Sequence, residues 1–197
     1  MFVRTESFGQ FLKLYPMISI IITIQLIVFL VINANHYWLF ELLSGVNGYI
    51  ADGEYWRLIS PIIVHISFAH LFFNSFSLIL FGPALERALG SFLFVIVYFA
   101  CGIGANIATF FIHPPHYVHI GASGAIFGLF GVYAAVLLFR KDAMPAHGRQ
   151  VIIPIAVISV VITFFQANVN VTGHIFGLIA GLLIGKFLLS FRKITFY

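Results

Sequence analysis

Residues 120–139 read IGASGAIFGLFGVYAAVLLF, and the reading of this stretch decides the fold. It contains no charged residue, and a membrane span needs roughly 20 mostly apolar residues. At its head a single hydroxyl, Ser123, stands among Gly121, Ala122, Gly124 and Ala125. A serine in such company is either helix-packing material or a nucleophile whose surroundings are kept small. The rest of the chain has to separate the two.

Composition extends the membrane reading to the whole chain. Of 197 residues, 61% are hydrophobic and 8% are charged, whereas about a quarter of a soluble domain is charged. The mean hydropathy is +1.08. A water-soluble fold is excluded, and an all-α polytopic membrane protein of one domain is expected. Six spans are read at about 17–34, 66–86, 91–112, 122–140, 150–168 and 171–190. Between them lie the loops NANHYWLFELLSGVNGYIADGEYWR, LERALG, HPPHYVHI, RKDAMPAHGRQ and QANVN. The expected organisation is a short cytoplasmic segment at 1–16, a six-helix membrane domain at 17–190 and a cytoplasmic tail at 191–197. The first apolar run ends in Asn33-Ala34-Asn35 and reads as a span, not as a removable signal peptide.

The charges fit this topology. With the N-terminus inside, Arg4, Lys13, Arg87, Arg140, Lys141, Arg149, Lys186, Arg192 and Lys193 fall on the cytoplasmic side and only Arg57 falls outside. This positive-inside bias accounts for the net charge of +4, so membrane lipid is the expected surroundings and no nucleic-acid partner is implied. The long loop after span one then lies outside, with Tyr37, Trp38, Phe40, Tyr49, Tyr55 and Trp56 suited to the membrane face. The only cysteine, Cys101, lies in an apolar run and reads as packing.

Polar side chains inside spans are costly and mark working sites. His70 and Asn74 in span two, Ser123 heading span four and His174 near the head of span six all lie toward the outer side. His70 and Asn74 are four residues apart and share a helix face. Taken alone they could be an interhelical hydrogen-bond pair. In GHIFGLIAGLLIG (173–185), Gly173, Gly177, Gly181 and Gly185 form a bare stripe, and span four has Gly124, Gly128 and Gly131. Small faces let membrane helices approach closely, which brings Ser123 within reach of His174. A serine needs a base to become a nucleophile, and a neutral His174 can accept its proton. Spans two to six place no Asp or Glu near the outer side, so a dyad is expected rather than a triad. Donors for an oxyanion are then available from His70, Asn74 and the Ser123 backbone N–H at a helix start.

Four motifs in order, GEYWRLISPIIVHISFAHLFFNSFSLILFGPALERALG (53–90, holding two of them), GASGAIFG (121–128) and GHIFGLIAG (173–181), resemble those of the rhomboid intramembrane serine proteases. The resemblance runs from about Pro16 to Leu189 and implies the minimal six-span form. It implies Ser123 as nucleophile and His174 as general base. It implies His70 and Asn74 as oxyanion donors beside the Ser123 backbone, with Gly121 shaping that loop. His65 takes a supporting place in the same motif, Trp56 and Arg57 match the structural loop motif, and Phe127 matches the aromatic that stacks on the imidazole. Gly173 stands where alanine is common. The resemblance further implies transmembrane protein substrates, a bacterial cell membrane setting, and no cofactor or metal.

Three other readings compete. The His113, His116 and His119 cluster suggests a metal, but there is no H-E-x-x-H and no carboxylate in the polar group, so solvated or interfacial histidines are expected there. A catalytically silent relative that binds membrane helices is expected to lose Ser or His, and both are present. A transporter needs polar groups that continue across the bundle, and here they stop in the outer half. Span five holds Pro154 and no glycine in 150–168, which makes it the candidate mobile gate.

Overall fold

Pro16 takes the first turn of a helix, where its missing N–H costs nothing, and an unbroken apolar run then carries that helix to Asn33. The structure, a computed structural model, describes residues 5–166, 169–192, 194 and 196. The helices are α1 (Phe8–Leu14), α2 (Pro16–Asn33), α3 (Tyr37–Leu43), α4 (Asn47–Ala51), α5 (Phe68–Leu89), α6 (Ser91–Ile112), α7 (Ser123–Phe139), α8 (Ala146–Thr163) and α9 (Val171–Phe191). Two two-residue strands, β1 (Gly45–Val46) and β2 (Val118–His119), pair antiparallel. Three short 3₁₀ turns complete the described elements, at Tyr55–Leu58, Ser60–Ile63 and Lys141–Ala143.

Five helices, α2, α5, α6, α8 and α9, are long and apolar enough to cross a membrane, and α7 is a shorter apolar sixth. The chain is therefore a multi-pass helical membrane protein. At 1.5 Å per residue, the 17 residues of α7 reach about 25 Å, short of the roughly 30 Å of a hydrocarbon core. The deficit is tolerated because α7 is enclosed by protein: Ala125 through Val136 are buried apart from Ala134. Non-helical backbone at membrane depth is viable only where protein satisfies it, and the Gly121 N–H ahead of α7 donates to the Pro61 carbonyl at 2.8 Å.

The tightest pairing in the fold is α7 against α9. A Cβ on Gly177 would strike the Gly124 backbone, one on Gly181 the Gly128 backbone, and one on Gly131 the α9 backbone at Leu178. Gly128 also leaves room for Cys101 of α6, which is buried. At the opposite end from Ser123, the buried Glu86 carboxylate accepts from the Met17 and Ile18 N–H groups at 3.0 and 3.2 Å and from the Ser91 hydroxyl at 2.7 Å. A carboxylate at a helix N-terminus satisfies donors that have no partner within the helix, so Glu86 joins α2, α5 and α6. Arg192 donates to the Leu89 carbonyl at that same end.

The long loop between α2 and α5 is a built structure. Gly45 pairs with His119 and Val46 with Val118, and the Asn47 amide donates to carbonyls at the end of α6, including His113 at 3.0 Å. Arg57 is buried, paired with Glu54, and donates to the carbonyls of Glu41 and Ser44 at 2.6 and 2.7 Å. Trp56 donates to the Leu42 carbonyl at 3.3 Å while much of its ring stays exposed.

Two expectations need correction. The fifth span is shifted: α8 runs Ala146–Thr163 and not 150–168, because Pro145 starts the helix ahead of Arg149 and Gln150. Gly148 therefore lies inside it; residues 167 and 168 of the expected span are outside the described residues. The second correction concerns HPPHYVHI. His116 is exposed, but His119 is buried with both ring nitrogens unpaired, because β1 packs Gly45 against its ring. Burial, reinforced by His113, pushes the His119 pKa down to about 4.

Candidate active site

Three helix starts meet at one end of the bundle, and each is fixed by a local device. Ser67 accepts from the His70 N–H at 3.2 Å and caps α5. Asn170 accepts from the Gly173 N–H at 2.8 Å, caps α9, and donates to the Thr109 hydroxyl of α6 at 2.9 Å. Gly121, with φ +107°, turns the chain into α7 in a conformation that side chains rarely adopt. These starts set His174, Ser123 and His70 at similar depth.

Ser123 Oγ lies 2.7 Å from His174 Nε2. The Phe127 ring stacks on the imidazole, with centroids 4.1 Å apart and planes 16° apart. His174 itself is buried. On its far side, Nδ1 lies 2.9 Å from the Thr163 hydroxyl at the end of α8, and Thr163 is buried as well. Sequence reasoning sought a carboxylate in this place and passed over a threonine on a largely lipid-facing helix, where a hydroxyl raises no pattern.

Across the serine, the His70 ring packs against Gly121: a Cβ there would lie 2.5 Å from two of its ring atoms. The Gly121 N–H donates to the Pro61 carbonyl, which fixes the turn that leads into α7. Asn74 is buried and uses one amide N–H on its own helix, to the His70 carbonyl at 2.9 Å, which leaves its second N–H available. As the first residue of α7, Ser123 keeps its backbone N–H outside intrahelical bonding. His65, in the loop ahead of α5, is fully buried against His70 with ring centroids 4.7 Å apart. Burial, together with the neighbouring His70, pushes its pKa down to about 3, against a smaller upward pull from the Ile63 backbone. Trp56 and Arg57 lie apart from this cluster, holding the loop between α2 and α5. Among the described residues, no group of three or more His, Cys, Asp or Glu is placed to hold a metal.

Two adjoining cavities border the pair on the α8 side. One of about 140 Å³ is lined by Phe127, Val160, Thr163, Phe164, His174 and neighbouring α9 residues. It shares Val160 and Leu178 with an apolar cavity of about 310 Å³ between α7 and α8.

Fold and site together define a helical membrane bundle with a hydrogen-bonded serine–histidine pair between two glycine-faced helices. A family model described as the Rhomboid domain matches residues 52–191, and the chain belongs to the rhomboid family. "Putative rhomboid protease YdcA" of Bacillus subtilis (strain 168) is 44% identical over 194 residues, 97% of this chain and 95% of that protein. Rhomboid protease GluP of the same organism is 44% identical over 136 residues, 68% of this chain but 26% of its own length. Rhomboid-like protease 1 of Toxoplasma gondii is 31% identical over 140 residues, 69% of this chain and 48% of its own.

Proposed function

We propose that this protein is an intramembrane serine endopeptidase that cleaves transmembrane protein substrates in or near their spans. The observation that carries the reading is the 2.7 Å approach of Ser123 Oγ to His174 Nε2, within a chain whose family relatives are named rhomboid proteases. In this reading His174 Nε2 takes the Ser123 proton as Oγ attacks the scissile carbonyl. The negative charge on the tetrahedral oxygen is met by the free Asn74 N–H, the His70 ring and the Ser123 backbone N–H, aided by the positive end of α7. His174 then returns the proton to the leaving amine, and water releases the acyl group from Ser123 by the same proton path in reverse.

The six-helix domain spans 17–190 in this reading, with cytoplasmic segments at 1–16 and 191–197. Lys13, Arg87, Arg140, Lys141, Arg149, Lys186 and Arg192 then face the cytoplasm, and Arg4 and Lys193 of the same pattern are outside the described residues. The site opens toward the extracytoplasmic side, one helical turn below the start of α9. The small residues around Ser123 admit an extended backbone, so a substrate helix must unwind to reach it.

The test is cleavage of a single-span model substrate by the purified protein in liposomes, with Ser123→Ala and His174→Ala alongside. Cleavage that vanishes in both variants is expected. Cleavage that survives Ser123→Ala overturns the assignment, and absence of cleavage by the unaltered protein favours a helix-binding role.

A further inference from the structure

The imidazole of His174 has two nitrogens, and an account of the dyad that uses only Nε2 leaves Nδ1 unexplained. For Nε2 to accept the Ser123 proton, the ring proton of neutral imidazole must sit on Nδ1. What fixes it there is legible from hydroxyl geometry. Thr163 Oγ1 lies 2.9 Å from the carbonyl of Ser159, four residues back on α8, and donates to it. With its single proton given to that carbonyl, the Thr163 oxygen meets His174 Nδ1, 2.9 Å away, as an acceptor. In that arrangement the donors run one way: Ser123 O–H to Nε2, Nδ1–H to Thr163, Thr163 O–H to the Ser159 carbonyl.

We propose that Thr163 is the positioning residue of this site, holding His174 in the tautomer and orientation whose Nε2 faces Ser123. The proposal rests on the serine–histidine reading above and supplies its missing third member from an uncharged side chain. A neutral acceptor suits the position. A carboxylate buried beside an apolar cavity would carry a large desolvation cost, whereas a hydroxyl already bonded to its own helix leaves one oxygen lone pair aimed at the ring.

The placement on α8 adds a consequence. Along α8 the buried residues are Gly148 and Ile152 near one end and Thr163 at the other, with the cavity of about 310 Å³ against the stretch between. At the first end Arg149 donates to the carbonyls of Lys141 and Met144 at 3.0 and 2.8 Å. At the other end, the hydrogen bond between Thr163 and His174 ties α8 to α9. The docking of α8 and the tautomer of the base are therefore one event: an α8 that leans away from α9 takes the Nδ1 acceptor with it.

The test compares Thr163→Val, which keeps the shape and loses the acceptor, with Thr163→Ser, which keeps both hydroxyl contacts. Each full-length variant is reconstituted in liposomes and assayed on a single-span substrate, and the ¹⁵N resonances of His174 are recorded in lipid nanodiscs. Loss of an orienting partner to a functional histidine costs about 10–100-fold in well-studied metal sites, and a fall of that size is expected here. Thr163→Val should lower kcat by it with KM changed less than about twofold, and Thr163→Ser should recover kcat to within about threefold. The unaltered protein should show His174 protonated on Nδ1, and Thr163→Val should show that signal lost or mixed. An unchanged kcat in Thr163→Val, equal losses in both variants, or an Nδ1 without its proton in the unaltered protein overturns the proposal. The tautomer reading needs no turnover, so it decides the role of Thr163 even if the protein cuts no model substrate.

Discussion

Gly177→Ala tests how α7 and α9 hold the serine and histidine together. A Cβ at 177 meets the Gly124 carbonyl oxygen, with the Gly124 carbonyl carbon at 3.0 Å and its Cα at 3.2 Å. These are helix backbone atoms, so no rotamer change relieves them. Overpacking costs about 1–3 kcal/mol, and a rigid neighbour places this change near the upper end. Alanine in a helix interior recovers about 1 kcal/mol over glycine, which leaves a net loss of about 2 kcal/mol. At roughly 2–4 °C per kcal/mol for a chain of this size, Tm should fall by about 4–8 °C. The only relief is separation of α9 from α7, and the Ser123–His174 contact spans that seam. A separation of about 1 Å carries the pair from 2.7 Å beyond the hydrogen-bonding limit of about 3.2 Å, and misplacement of that size costs about a hundredfold in rate. Gly104→Ala is the control. Its new methyl meets only the Ala180 Cβ, at 3.1 Å, so stability within about 1 kcal/mol of the parent and full activity are expected. Thermal unfolding in nanodiscs and cleavage in liposomes read both. A Gly177→Ala protein with parental Tm and rate, or a Gly104→Ala protein equally damaged, refutes the argument that backbone contact at this seam sets the site.

Two further predictions follow from particular contacts. Asn74→Ala should slow cleavage without abolishing it, by about 10²-fold if its free N–H meets the oxyanion, with KM little changed; a kinetic comparison with the parent in the same liposomes checks this. His119 is buried with its pKa lowered from 6.5 to about 4, so the unfolded chain binds a proton that the folded one refuses. Its contribution to stability is complete above about pH 6.5 and is lost as pH falls toward 4, by up to about 1.4 kcal/mol per pH unit. His119→Phe should flatten that part of a Tm-against-pH curve, and an unchanged curve would show that other groups set it.

Much of this architecture is legible in the sequence because a bilayer simplifies the code. Apolar length marks spans, the glycine spacing in 173–185 marks a close-packed face, and a polar residue at depth stands out against its neighbours. Ser123, His174, His70 and Asn74 are visible for that reason, and the structure gathers them at three adjoining helix starts. What escaped the sequence lacks such contrast. Thr163 is one hydroxyl on a helix whose outward face is apolar, and its importance comes from one lone pair aimed at another helix. Glu86 sits in LERALG, where it reads as a loop charge, yet α5 continues through it and delivers the carboxylate to the start of α2. His119 looks solvated beside two prolines until β1 closes over it from a loop about 70 residues earlier in the chain.

The site's parts are held by forces of very different stiffness. Ser123 and His174 sit on helices whose backbones touch through Gly124, Gly128, Gly177 and Gly181, and such a seam has no side chain to rearrange, so it resists shear. Phe127 adds a ring face on the imidazole from the helix that carries Ser123. Thr163 is carried instead by α8, along which only Gly148, Ile152 and Thr163 are buried among the described residues, so α8 shares few of the dispersion contacts that hold the bundle. Motion will concentrate where contacts are few. An excursion of α8 thus leaves the serine–histidine distance nearly intact while removing the hydroxyl beside His174 Nδ1. A protein built this way keeps Ser123 and His174 permanently assembled, and leaves the direction of the imidazole proton to the helix that moves most easily.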